Sequence, residues 1–206
     1  GGKVQRPGYD LTGVFVGSEG TLGIVTQVIV RLLHLPEAVK TILAAFETIE
    51  AASEAVSRII ACGIIPAALE MLDQHVVRAV EDAVGAGYPR DAGAVLLIEL
   101  DGPQAEIETQ SLRVVEICRE RAAIDLRVAR DEAERALLWK GRKEAAGAIG
   151  RLTPNWLLQD AVVPRSRLPQ IMREIGAISA RHRLLIANVF HAGDGNLHPL
   201  ICYDER

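Results

Sequence analysis

Leu184-Leu185-Ile186-Ala187-Asn188-Val189-Phe190-His191-Ala192-Gly193-Asp194-Gly195-Asn196-Leu197-His198-Pro199-Leu200-Ile201-Cys202-Tyr203 reads as two apolar strands folded back on each other. Asp194-Gly195 is a strong two-residue hairpin signal, because both central residues of the favoured turn take positive φ. Pairing around that turn sets Gly193 against Asn196, Ala192 against Leu197 and His191 against His198. The two imidazoles then share a face, with Cβ atoms about 5 Å apart, where one divalent ion could bridge them. Zinc takes three or four protein ligands, so two nitrogens are an incomplete site. A hydrogen-bonded or surface histidine pair explains the same spacing.

Upstream, strands and helices alternate. Runs at 39–46, 67–72, 94–100, 126–129 and 156–163 are apolar and strand-like. Helical patterns cover 49–61, 75–84, 104–122, 132–146 and 168–182. The first is typical, with Ala52, Ala55, Val56, Ile59 and Ile60 on one stripe. Asp131 followed by Glu134 resembles a capping box at a helix start. This alternation predicts an α+β fold, one sheet covered on one face by helices.

Pro36 marks a boundary. Before it, 14–16 and 24–30 are strand-like and flank Gly17-Ser18-Glu19-Gly20-Thr21-Leu22-Gly23. Glycine at every third position allows either a tight turn or close approach of a ligand to backbone N–H groups.

With 206 residues and 49% apolar content, the chain can bury a substantial core. A net charge of −4 and the absence of a basic block argue against nucleic acid or an anionic membrane surface as partner. No apolar run reaches membrane-spanning length. Cys62, Cys118 and Cys202 are widely spaced and odd in number, as expected of buried, reduced thiols in a cytoplasmic protein. A start at Gly1-Gly2-Lys3 and an end just after the histidine motif read as a piece of a longer protein.

Within Trp139-Lys140-Gly141-Arg142-Lys143-Glu144, Arg142 has the planar fork that grips a carboxylate, although cations at a helix end also complement its dipole. Glu70 and Asp160 each sit inside an apolar strand, so each needs either water or a partner. His34, His75 and His182 stand without companions.

Three of these motifs, Gly17–Gly23, Gly141-Arg142-Lys143 and Asn188–Pro199, occur in the order found in the FAD-linked 2-hydroxy-acid oxidoreductases of the vanillyl-alcohol-oxidase type. The chain resembles that family along its whole length. It is most similar to the branch holding glycolate oxidase FAD-linked subunits, with D-lactate and D-2-hydroxyglutarate dehydrogenases nearby. The resemblance implies that 1–35 is the end of an FAD-binding domain. It also implies that 36–206 is a substrate or cap domain, a ferredoxin-like antiparallel sheet truncated before its end. Gly17, Ser18, Glu19, Gly20, Gly23 and Ile24 would line the flavin. Asn196 would lie beside flavin and substrate, Arg142 would clamp the substrate carboxylate, and His191 and His198 would bind a divalent metal such as zinc. The implied reaction is oxidation of a small 2-hydroxy acid to the 2-keto acid, with hydride transfer to FAD.

Ala146 and Leu158 replace a hydroxyl residue and a lysine that hold a second carboxylate in the 2-hydroxyglutarate enzymes, which fits glycolate or D-lactate. The family's N-terminal cofactor loop and its C-terminal Gly-Glu-His-Gly segment are not in this sequence, so residues 1–206 alone are expected to be inactive. Further oxidase subunits are implied partners. They would account for any placement of a cytoplasmic protein against the inner membrane. A sheet left partly uncovered would let the segment self-associate. Two other readings compete: a metal-dependent hydrolase built on His191, Asp194 and His198, and a non-catalytic α+β interaction module.

Overall fold

A computed structural model describes residues 8–9 and 11–206. The chain divides into two units, 1–35 and 36–206. In the first, the start of the expected domain end, residues 1–7 and 10, lies outside the described residues. Residues 14–16 are not a strand: 14 and 15 close a short helix, α1 (Leu11–Phe15), and 24–30 form no strand either. Both expectations are corrected for one reason. A strand is held by hydrogen bonds to a neighbour, and this unit has no strand among its described residues to supply one.

The second unit is built on β1 (Ala38–Phe46), β2 (Ala68–Asp73), β3 (Ala94–Gly102) and β4 (Ala123–Val128). Their order is β4-β1-β3-β2 with every neighbour antiparallel, the ferredoxin-like arrangement. Helices α2 (Ile49–Ala61) and α4 (Gln104–Glu120) cross over between non-adjacent strands, and α3 (Gln74–Ala83) joins β2 to β3. Next come α5 (Glu132–Ile149), β5 (Asn155–Leu158), β6 (Ala161–Val162), α6 (Leu168–His182), β7 (Leu185–His191), β8 (Asn196–Leu197) and β9 (Pro199–Tyr203). β7 pairs with β2 and carries the sheet on to nine strands.

Thr41-Ile42-Leu43-Ala44-Ala45-Phe46 is buried throughout, which is why β1 reads as a continuous apolar run and not as an alternation. Ile42, Ala44 and Phe46 pack with Met71, Leu96 and Phe190 beneath α2, α4 and α6. Leu43 and Ala45 pack with Leu72, Val95 and Leu97 against α3 and α5. Helices on one face therefore describes α2, α4 and α6, while α3 and α5 cover the other. The apolar stripes Val76, Val77, Val80 and Leu138, Ala145, Ile149 need that second face.

Caps fix the helix starts. Thr48 and Asp73 accept the N–H of Ala51 and Val76 at 3.2 and 3.0 Å. Asp131 accepts Glu134 N–H at 2.8 Å, but the Glu134 carboxylate turns to Arg130 N–H, one residue before the cap, so the capping box is only half formed. Cys118 and Cys202 are buried as expected and Cys62 is exposed, which corrects the third thiol. Burial pushes the Cys118 thiol up to about 12.

Candidate functional site

The terminal hairpin forms, but two residues out from the expected register. His191 faces Asn196, and Asn188 faces Pro199. Residues 192–195 make a four-residue loop in which Asp194 N–H donates to His191 O and Gly195 N–H to Ala192 O. Gly195 alone of the Asp194-Gly195 pair has positive φ, at 73°. A shift of two keeps every side chain on its face, so His191 and His198 remain neighbours, diagonal instead of opposite. Their ring centroids are 5.2 Å apart and the planes nearly perpendicular.

The loop is pinned from outside. Gly193 N–H donates to Leu69 O at 3.0 Å, Val163 N–H to Gly195 O at 2.9 Å, and Arg165 Nη1 to Gly193 O at 3.1 Å. A Cβ at Gly195 would lie 2.2 Å from Val163 O. These glycines let the loop close on β2 and on residue 163.

Glu70 is the centre of the site. It stands opposite His191 across the β2–β7 pair and is 7% exposed. Its Oε1 lies 2.8 Å and its Oε2 3.0 Å from His191 Nδ1. Oε2 also accepts Arg142 Nε–H at 2.9 Å and forms an ion pair with Nη2 at 2.7 Å. Arg142 reaches it because α5 packs closely against residues 86–88. A Cβ on Gly141 would be 2.7 Å from Ala86 Cβ and 2.9 Å from the Tyr88 hydroxyl, and that hydroxyl donates to Leu138 O.

The expected strand 156–163 is broken into β5 and β6, with Gln159 N–H still donating to Pro199 O at 3.0 Å. At that break the exposed Asp160 carboxylate comes 3.4 Å from His198 Nδ1. The fold thus joins Arg142, His191, His198 and Asn196 around one corner of the sheet. Asn196 Oδ1 is buried there without a partner. The Asp194 carboxylate, by contrast, forms no hydrogen bond or ion pair with either imidazole.

The expected metal site is not completed. Among the described residues no three His, Cys, Asp or Glu side chains converge to hold an ion. His191 and His198 are two nitrogens without a third ligand, and the Glu70 carboxylate is committed to Nδ1 and to Arg142. In the first unit, Gly17, Glu19 and Gly20 have positive φ (80°, 50° and 78°), and a Cβ at Gly17 or Gly20 would meet nothing within 4 Å. All three residues are exposed. The exposed Thr21 hydroxyl donates to Ser18 O.

Glu70 and its buried neighbour Asp73 were not legible as site residues. Asp73 Oδ2 accepts Asn188 N–H and Nδ2 at 2.7 and 2.9 Å, tying the histidine strand to the start of α3. The available signal was an acid inside an apolar strand.

Two turns and one turn before Arg142 on α5, Arg135 and Trp139 donate to Glu99, as does Thr41. Burial alone would raise the Glu99 carboxyl; these donors outweigh it and hold it below the usual carboxylate range. A lowered folded-state value means stability that is present above the unfolded carboxylate's range and lost as pH falls through the folded value. The stability gap between wild type and Glu99→Gln, from urea unfolding, should therefore shrink between pH 7 and pH 3. An equal gap at both would show that the network carries no proton linkage.

Residues 35–206 match the family model for FAD linked oxidases, C-terminal domain. The chain is 48% identical over 203 residues to glycolate oxidase subunit GlcD of Escherichia coli K12, covering 98% of this chain and 41% of that protein. It is 47% identical over 208 residues to the protein of the same name in Bacillus subtilis, covering 100% and 44%. It is 35% identical over 212 residues to the probable mitochondrial D-lactate dehydrogenase of Danio rerio, covering 100% and 42%. The chain thus spans less than half the length of these relatives. Among solved structures, an alkyldihydroxyacetonephosphate synthase superposes with TM-score 0.67 at 18% identity, over 98% of this chain and 44% of that one. p-Cresol methylhydroxylase superposes with TM-score 0.60 at 10% identity, over 82% and 39%. Both share the fold.

Proposed function

The chain belongs to the FAD-linked oxidases, through their C-terminal domain, and we propose that it is part of a flavin-dependent enzyme oxidising a small 2-hydroxy acid, glycolate or D-lactate, to the 2-keto acid. One observation carries the roles: a carboxylate binder and a proton acceptor, distant in sequence, are held on the same buried acid. In this reading residues 1–35 close an FAD-binding domain and 36–206 form the substrate domain. Gly17, Ser18, Glu19, Gly20, Gly23 and Ile24 are the positions that would lie along FAD, and FAD when bound supplies a hydride acceptor.

The side chains of the second unit do the rest. Glu70 lies against the Nε–Nη2 edge of Arg142, which leaves the Nη1–Nη2 edge to take the substrate carboxylate by two parallel bonds. His191, with Nδ1 against Glu70, keeps Nε2 for the hydroxyl proton as the α-hydrogen departs with its electron pair. His198 borders the same space, and Asn196 stands opposite His191 with its amide oxygen buried and unpartnered. The relatives named as subunits make further oxidase subunits the proposed partners. Among the described residues no helix is long and apolar enough to cross a membrane.

The test is a visible spectrum of the full-length protein, before and after anaerobic addition of glycolate and then D-lactate. A flavin band that bleaches with one of them is the expected result. A colourless protein that FAD cannot reconstitute would overturn the reading.

A further inference from the structure

We propose that Glu70 is the positioning residue of this site. It fixes His191 as the Nδ1–H tautomer and holds Arg142 by one edge, so that both groups meet the substrate in a single rigid arrangement. The inference deepens the function proposed above and rests on it.

The chemistry follows from the acceptor. An ionised carboxylate only accepts hydrogen bonds. Both oxygens of Glu70 lie within 3.0 Å of His191 Nδ1, so the ring nitrogen facing them must carry the hydrogen. A neutral imidazole then has its lone pair on Nε2, the atom that the reaction needs. A free imidazole is under no such constraint.

The same carboxylate also accepts the Nε–H of Arg142 and lies 2.7 Å from its Nη2. A guanidinium is planar, so fixing its Nε–Nη2 edge fixes the direction of its Nη1 end. Glu70 lies on β2, between β3 and β7 and directly opposite His191, where strand pairing sets its Cα position. At 7% exposure little water reaches it. Arg142 in turn supplies the cation that a buried carboxylate requires. The binding group and the proton acceptor are therefore positioned by one side chain, and removing it should disturb both.

The experiment uses the full-length protein with 15N-labelled histidine. Long-range 1H–15N correlation spectra report the tautomer of each ring, and His191 is assigned by the signal lost in His191→Gln. The expected wild-type result is a hydrogen on Nδ1. A hydrogen on Nε2 in the neutral ring overturns the inference without any variant at position 70. In Glu70→Ala, His191 should relax to the tautomer mixture of a free imidazole, and an unchanged Nδ1–H signal overturns the inference.

In Glu70→Gln, which keeps the side-chain volume, kcat should fall and KM should rise, with kcat/KM down by about tenfold to a hundredfold. A folded Glu70→Gln protein with wild-type kcat and KM also overturns the inference. The tautomer readout needs no turnover, so failure of the proposed function, seen as a wild-type flavin that does not bleach, is distinguishable from failure here.

Discussion

Gly195→Ala is expected to destabilise the second unit, residues 36–206, by about 3 kcal/mol or more, in the range reserved for backbone strain and severe steric conflict. Two effects combine. The residue has φ 73°, where an L side chain costs about 1–2 kcal/mol. Its new methyl would also lie 2.2 Å from Val163 O, a backbone atom that cannot rotate away. Relief requires breaking the Val163 N–H to Gly195 O bond and lifting the loop from β6. That loop spaces His191 from His198, so turnover should fall with stability. Gly147→Ala is the matched control. It lies inside α5, where an added Cβ meets nothing within 4 Å, so it should be neutral or stabilising by about 0.5–1 kcal/mol. Denaturant unfolding of both variants checks the pair. A Gly195→Ala midpoint equal to wild type would show that the loop is not held as described.

The contrast between the two glycines shows what a sequence can and cannot carry. Asp194-Gly195 correctly announced a reversal, and the apolar runs around it correctly announced two strands. The register differed by two because the loop is shaped by Leu69, Val163 and Arg165, none of which a local turn rule can see. His191 and His198 still came together, since a two-residue slip preserves the face. Strands 39–46 and 94–100 were legible as continuous apolar runs and helix 49–61 by its apolar stripe, because each pattern reports its own burial. The segment 24–30 was not, since β-branched composition states a preference while pairing needs a partner. Glu70 was visible only as an anomaly. Its partners lie on β7 and α5, and nothing short of the strand order places them beside it. Arg142 was legible as a carboxylate binder, but its anchoring carboxylate belongs to the protein.

That anchoring sets the second large effect. Arg142→Met is expected to cost about 3–5 kcal/mol, the usual result of removing one partner from a buried ion pair, because the buried Glu70 side chain would be left with only His191 beside it. Arg142→Lys should spare much of the stability, since one ammonium still reaches the carboxylate. It should nevertheless raise KM for the hydroxy acid by tenfold or more, because a lysine cannot hold Glu70 on one edge and present a second edge to a ligand. The double variant Glu70→Met/Arg142→Met separates the two roles. An apolar pair of similar volume often replaces a buried ion pair without loss of stability, so unfolding should return towards wild type while turnover stays absent. A double variant no more stable than Arg142→Met alone would mean that the lost stability comes from the packing of α5 against Ala86 and Tyr88, and not from a stranded carboxylate. A double variant that regains turnover would remove Arg142 from substrate binding altogether.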